Sequence, residues 1–189
     1  MNRRVEVTVS PLFFCLFAVL LIYEPQGIAA GCLAASLLHE SGHLAVMAMR
    51  RALPHRIAVG VFGMRIEKGE GMHLSFLDEF LIAAGGPAVN GLCCALFLCL
   101  DGQKTAVIHL LVGALNVLPI YPLDGGTMLQ CILLHFFSKE RTDTILRAVS
   151  LLVVFPLGVA GFYLLMVSGY NASLLLVDAY LVLLLLFKR

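Results

Sequence analysis

Charge is the scarcest ingredient of this chain. Asp, Glu, Lys and Arg make up 13% of its 189 residues, about half the share found in an ordinary soluble domain. The net charge of +1 gives a polyanion nothing to bind, which argues against a nucleic-acid partner or a strongly acidic ligand. Flexible linkers, low-complexity tracts and internal repeats are missing as well, so residues 1–189 are expected to form a single membrane-embedded domain. Paired-cysteine signatures are also absent. The six cysteines fall in apolar stretches and none belongs to a Cys-x-x-Cys. They read as small buried hydrophobes, neither a disulfide framework nor a thiolate metal site.

What fills the chain is hydrocarbon: 60% of the residues are hydrophobic and the mean hydropathy is +0.95. Six apolar segments can be drawn, approximately 11–25, 28–49, 78–100, 105–137, 144–167 and 173–187. A crossing needs roughly 17–25 residues. The first segment is short, and the fourth is long and interrupted by Pro119 and Pro122. With six crossings and a cytoplasmic N-terminus, the C-terminus is cytoplasmic too. Every basic residue except Lys104 then lies at a cytoplasmic end, as the positive-inside rule requires. The expected fold is an all-α membrane protein of six transmembrane helices. Residues 54–77 differ in texture: Arg56 to Ile66 is rich in β-branched residues and glycine, and Glu67-Lys-Gly-Glu-Gly71 supplies a turn. That pattern predicts a short membrane-associated β-hairpin. It reads either as a cytoplasmic loop with incidental β character or as an edge that receives an extended peptide.

Polar residues are conspicuous against this background. His39-Glu40-Ser41-Gly42-His43 lies inside the apolar stretch from Ile28 to Met49. On a helix the two imidazoles share one face, separated by about 6 Å of rise. That spacing lets both hold one zinc ion, with Glu40 beside them to take a proton from water. Ionisable groups within a span are costly and tend to mark function.

A catalytic zinc takes three protein ligands and leaves a position open. The candidates at membrane depth are Asp124, Asp178, His109 and His135, with Glu24 at an outer end. Asp124 stands apart because it follows Pro119-Ile-Tyr-Pro122-Leu123 and precedes Gly125-Gly126. Irregular backbone at that depth is tolerated only where it is buried in protein or lines a wet cavity. The stretch therefore looks built to place a carboxylate inside, although an aspartate there could also cap a broken helix.

His39-Glu-Ser-Gly-His43, Gly85-Gly-Pro-Ala-Val-Asn90 and Asn116-Val-Leu-Pro-Ile-Tyr-Pro-Leu-Asp-Gly-Gly126, in that order, resemble the site-2 protease family of intramembrane zinc metalloproteases. The likeness is closest to the branch of the stage IV sporulation protein FB. The opening Val7-Thr-Val-Ser-Pro-Leu-Phe13 looks like the short strand and first helix of that branch. The resemblance implies one catalytic zinc held by His39, His43 and Asp124, with Glu40 as the base. It implies that Asn116 orients substrate or the oxyanion, and that the wall carrying Pro87 and Asn90 lies along the substrate path. Read from the residues alone, Gly85, Gly86 and Ala88 could equally be close-packing positions, Pro87 a kink, and Asn90 and Asn116 interhelical hydrogen-bonding residues.

The resemblance further implies a membrane-embedded or membrane-associated protein as substrate. In the sporulation branch this is an inactive sigma-factor precursor, and inhibitory membrane proteins act as partners. Some relatives carry a PDZ or a CBS domain; no room for either is expected between Met1 and Arg189. The expected location is the cell membrane, crossed several times, with both termini cytoplasmic. The competing reading is a zinc-binding membrane protein without proteolysis, either a transporter or a pseudoprotease. Glu40 argues against it, since a passive metal site needs no general base.

Overall fold

The computed structural model describes residues 6–11, 18, 27–52, 54–60, 63–68, 74–170 and 172–187. The first expected crossing, 11–25, falls largely outside them, as do Glu24, His73 and the basic residues at 3, 4, 188 and 189. The chain divides into two compact units, Met1–Leu115 and Asn116–Arg189.

The first unit opens with a three-stranded sheet in the order β1-β2-β3, where β1 is Glu6–Val9, β2 is Pro54–Gly60 and β3 is Gly63–Lys68. β1 runs parallel to β2, pairing Val7 with Ile57 and Val9 with Val59. β3 runs antiparallel to β2, pairing Ile57 with Ile66, and the register shifts between Pro54 and Arg56. Proline has no N–H to give the ladder, so its place at the first residue of β2 is the tolerated one.

Helix α1 (Ile28–Met49) follows β1 in sequence, and α2 (Phe76–Cys99) follows β3. Ser75 starts α2 through a capping box: its hydroxyl accepts from the Asp78 N–H at 3.1 Å while the Asp78 carboxylate accepts from the Ser75 N–H and O–H. The Arg50 guanidinium at the end of α1 pairs with the same carboxylate. One aspartate thus fixes both the start of α2 and its attachment to the end of α1. The helix begins at Phe76, two residues inside the stretch expected to be β or loop, because this cap satisfies N–H groups that an extended chain would leave open.

The buried face of α1 is Ala35, His39, Gly42, His43 and Met47, a set at helical spacing. It meets Ala83, Gly85, Gly86 and Asn90 of α2. The contact is backbone on backbone. A Cβ on Gly85 would lie 2.7 Å from the Gly42 carbonyl oxygen and 2.9 Å from a Val46 methyl. A Cβ on Gly42 would strike the Gly85 peptide and Val89. Small residues are what permit two helix backbones to approach this closely. Helix α3 (Gln103–Val117) joins the unit through Gly31, which faces Ile108, and through Gly113, which faces the Asn90 Cβ at 3.1 Å.

In the second unit the interruption expected at Pro119 and Pro122 is present. Residues 118–123 are non-helical, include a cis Tyr121–Pro122 bond, and lead into α4 (Asp124–Phe136). Ile120 is fully buried against Val154 and Leu181, with Leu118 and Leu123 around them. The Tyr121 N–H, which the break deprives of a helical partner, donates to the Ser150 hydroxyl at 3.1 Å, and Ser150 donates to the Leu146 carbonyl. Gly125 and Gly126 lie against the backbone of Val117, Leu118 and Ile120, where a side chain would not fit. Helix α5 (Lys139–Ser168) ends at Gly169 with φ 72°, the left-handed conformation that suits glycine. Helix α6 (Ser173–Phe187) packs on it, with Gly161 against Leu174 and Leu175. Among the described residues, α2 and α5 are long and apolar enough to cross a bilayer. α1 has 22 residues, but its His-Glu-Ser-Gly-His cluster dilutes its hydropathy.

The backbone contact between α1 and α2 gives the first prediction. Gly85→Val should lower stability by about 1–3 kcal/mol through overpacking, measured as detergent-solubilised unfolding. A Cβ on Gly91, also in α2, would meet nothing within 4 Å, so Gly91→Ala should be neutral or stabilising by about 0.5–1 kcal/mol. Equal effects at the two glycines would contradict the close approach.

Candidate metal centre

His39 and His43 sit on the buried face of α1 at 4% and 7% exposure. Their rings meet edge-on with centroids 4.8 Å apart, and the two Nε2 atoms are 3.1 Å from each other. The opposite edge of each ring is held by α2. His43 Nδ1 lies 2.7 Å from the Ile82 carbonyl oxygen. A carbonyl can only accept, so Nδ1 carries the proton and the lone pair of His43 is at Nε2. This is the arrangement of a metal-ligating histidine, whose far N–H is anchored to a backbone carbonyl. His39 Nδ1 is 3.0 Å from the Asn90 side-chain amide. Here too the edge turned toward the other imidazole is Nε2.

Gly86 completes the arrangement from above. A Cβ at that position would lie against Nε2 of both His39 and His43. The second glycine of the Gly-Gly pair therefore keeps the space in front of the two nitrogens open. Glu40, next in sequence to His39, is half-buried. Ser41 donates back to the Leu38 carbonyl at 2.6 Å, turning its hydroxyl away from any role with the histidines.

Asp124 is the first residue of α4 and is half-buried. The helix N-terminus there favours a carboxylate. It is not itself the cap, since Leu123 occupies that position. His39 and His43 offer two imidazole nitrogens in the first unit and Asp124 a carboxylate in the second, each a donor of a kind that can hold a metal ion. Nitrogen and oxygen donors of this kind suit zinc.

The remaining sequence candidates separate clearly. His135 is exposed, with its ring edge-on to Phe136. His55 is exposed on β2. Asp178 is 9% exposed, facing Gly158 in an apolar groove of α5 and α6, and its Oδ1 has no hydrogen-bond partner among the described residues. Asn116 is half-buried in the last turn of α3, and Pro87 is half-buried inside α2. Asn90 is fully buried, and its amide is engaged at both ends, by His39 and by His109. His109 is the buried neighbour of this cluster that spacing along the chain does not reveal. Near the outer end of an apolar segment it presents itself only as a possible direct ligand, yet it is buried and one residue removed from His39. The signal for it in the sequence is a pair of polar residues, Asn90 and His109, in two apolar segments.

Comparison with known structures places this architecture. The chain is similar to the site-2 protease from Methanocaldococcus jannaschii, with a TM-score of 0.69 and 18% identity over 96% of this chain and 89% of that one. The two share a fold. No protein-family model and no curated protein sequence matches the chain.

The position of Gly86 yields a prediction. If the pair holds a metal, Gly86→Ala should weaken the binding of added zinc about tenfold or more, since displacing packed groups by a methyl costs about 1–3 kcal/mol. Chelator competition on purified protein measures it. Wild-type affinity in the alanine variant would show that the glycine does not guard the two nitrogens.

Proposed function

We propose that this chain is an intramembrane zinc metalloprotease, a single membrane-embedded core that hydrolyses a peptide bond of a membrane-embedded or membrane-associated protein. The observation that carries the reading is the buried histidine pair, with its Nε2 atoms converging under Gly86 and its far edge anchored to the Ile82 carbonyl. The fold shared with a site-2 protease supports it. In this reading His39, His43 and Asp124 are the ligands of one zinc ion. Bound zinc supplies a Lewis acid that makes water nucleophilic near neutral pH.

The chain's own groups do the rest. Glu40 takes the proton released as water attacks the scissile carbonyl and hands it to the leaving amine. Asn116 offers an amide to the developing oxyanion, and Pro87 and Asn90 belong to the wall along which substrate is held. A helical substrate keeps its carbonyl carbons behind hydrogen bonds, so the segment must be extended before cleavage. The sheet β1-β2-β3 ends in edge strands to which an extended segment could add. The sequence pattern supports a chain that crosses the cell membrane six times with both termini cytoplasmic. Likeness to the sporulation branch, in the three motifs and in the opening residues 7–13, supports a sigma-factor precursor as substrate and inhibitory membrane proteins as partners.

Glu40→Gln tests the catalytic assignment. The variant should keep its zinc and lose turnover by about 10²–10⁴-fold, the usual contribution of a general base. Membranes expressing it should accumulate a full-length protein that wild-type cells process, detectable by comparative proteomics. Zinc-loaded Glu40→Gln that still cleaves would remove Glu40 from the mechanism. Zinc flux through proteoliposomes without peptide cleavage would replace the protease by a transporter. Asp124→Asn should lower zinc content; an unchanged content would take Asp124 out of the ligand set.

A further inference from the structure

His109 sits in α3, is 2% exposed, and lies nowhere in the ligand set, yet its ring is fixed on two sides. Phe97 stacks on it with centroids 5.7 Å apart and planes 16° from parallel. Its Nδ1 lies 3.0 Å from Asn90 Oδ1, while Asn90 Nδ2 lies 3.0 Å from His39 Nδ1. Three buried side chains on α3, α2 and α1 therefore form a continuous chain of hydrogen bonds that ends at the histidine pair. Burying polar groups in apolar helices is tolerated only when each is satisfied, and a relay of this kind has two self-consistent settings.

In the first, the Asn90 amide N–H donates to His39 Nδ1, so His39 carries its proton on Nε2 and donates it to His43 Nε2 at 3.1 Å. His109 Nδ1–H then donates to Asn90 Oδ1. In the second, the amide is turned by half a revolution. His39 Nδ1–H donates to Asn90 Oδ1, Asn90 Nδ2–H donates to His109 Nδ1, and His109 holds its proton on Nε2. Each imidazole keeps one proton throughout. Only the second setting leaves a lone pair on His39 Nε2, which is what a metal ligand requires.

We propose that His109 is a positioning residue for the metal centre, acting through the Asn90 amide to select which nitrogen of His39 presents its lone pair to the ion. The inference rests on the zinc reading of His39 and His43 and extends it to a third helix. Its physical basis is that His109 Nδ1 is the terminal acceptor: without it, Asn90 Nδ2–H is buried unpaired in the ligating setting, and that setting is penalised. The contact also explains why α3 is held so close, with Gly113 against the Asn90 Cβ.

The test is zinc affinity, measured by chelator competition on the full-length protein in detergent, for wild type, His109→Phe and His109→Asn. Phenylalanine keeps the ring and its stacking on Phe97 but offers no acceptor; asparagine places an amide oxygen near the position of Nδ1. His109→Phe should bind zinc about 10–100-fold more weakly, the range seen when a group supporting a ligating histidine is lost. His109→Asn should recover most of that loss. The visible absorption of the cobalt-substituted protein should shift in the phenylalanine variant and return in the asparagine one. Wild-type affinity and an unshifted band in His109→Phe would overturn the proposal. Equal weakening in both variants would overturn it too, because packing rather than the acceptor would then be responsible. A wild-type protein that binds no zinc would instead defeat the reading on which this inference rests.

Discussion

The backbone-to-backbone approach of α1 and α2 at Gly42 and Gly85 is the constraint on which the rest of the centre depends. Only with two glycines facing each other can the helices come near enough for the Ile82 carbonyl to reach His43 and for the Asn90 amide to reach His39. The same approach brings Gly86 over both imidazoles. Any side chain at the crossing would separate the helices and leave the histidines without the groups that fix their rings. Positioning and packing are therefore one problem in this unit, solved by the absence of three Cβ atoms.

A second consequence is electrostatic. His39, His43, Asn90 and His109 are all buried in helices of otherwise apolar sequence, where an unsatisfied polar group costs several kcal/mol. They offset that cost by bonding to one another and to a backbone carbonyl. The second unit uses the same device at its break, where Ser150 takes the N–H that Tyr121 cannot place in a helix. In both units an irregular or polar element is accompanied by one buried side chain that satisfies it. Polar groups buried this deeply need such support, since an unpaired donor or acceptor there has lost its water without gaining a partner.

Much of this is legible in the sequence because it is local. Four-residue spacing places His39 and His43 on one face, two prolines mark the break before Asp124, and the Gly-Gly pair offers close packing as one of its readings. What is not legible depends on which faces meet. The parallel pairing of β1 with β2 joins residues about fifty positions apart, and no short-range periodicity reports it. His109 is hidden for the same reason: its distance from Asn90 is set by α2 and α3 crossing at Gly113, not by any spacing along the chain. The helices α2 and α5 also start earlier than hydropathy suggests, at Phe76 and Lys139. Polar first turns hold the N–H groups of a helix while contributing nothing to its apolar signal.

The most direct measurement is X-ray absorption at the zinc edge on purified, catalytically active protein, with the metal quantified on the same sample. The account predicts one zinc per chain, with scattering from two imidazoles and light oxygen donors and none from sulfur. Active protein devoid of zinc, or zinc bound through thiolates, would contradict it.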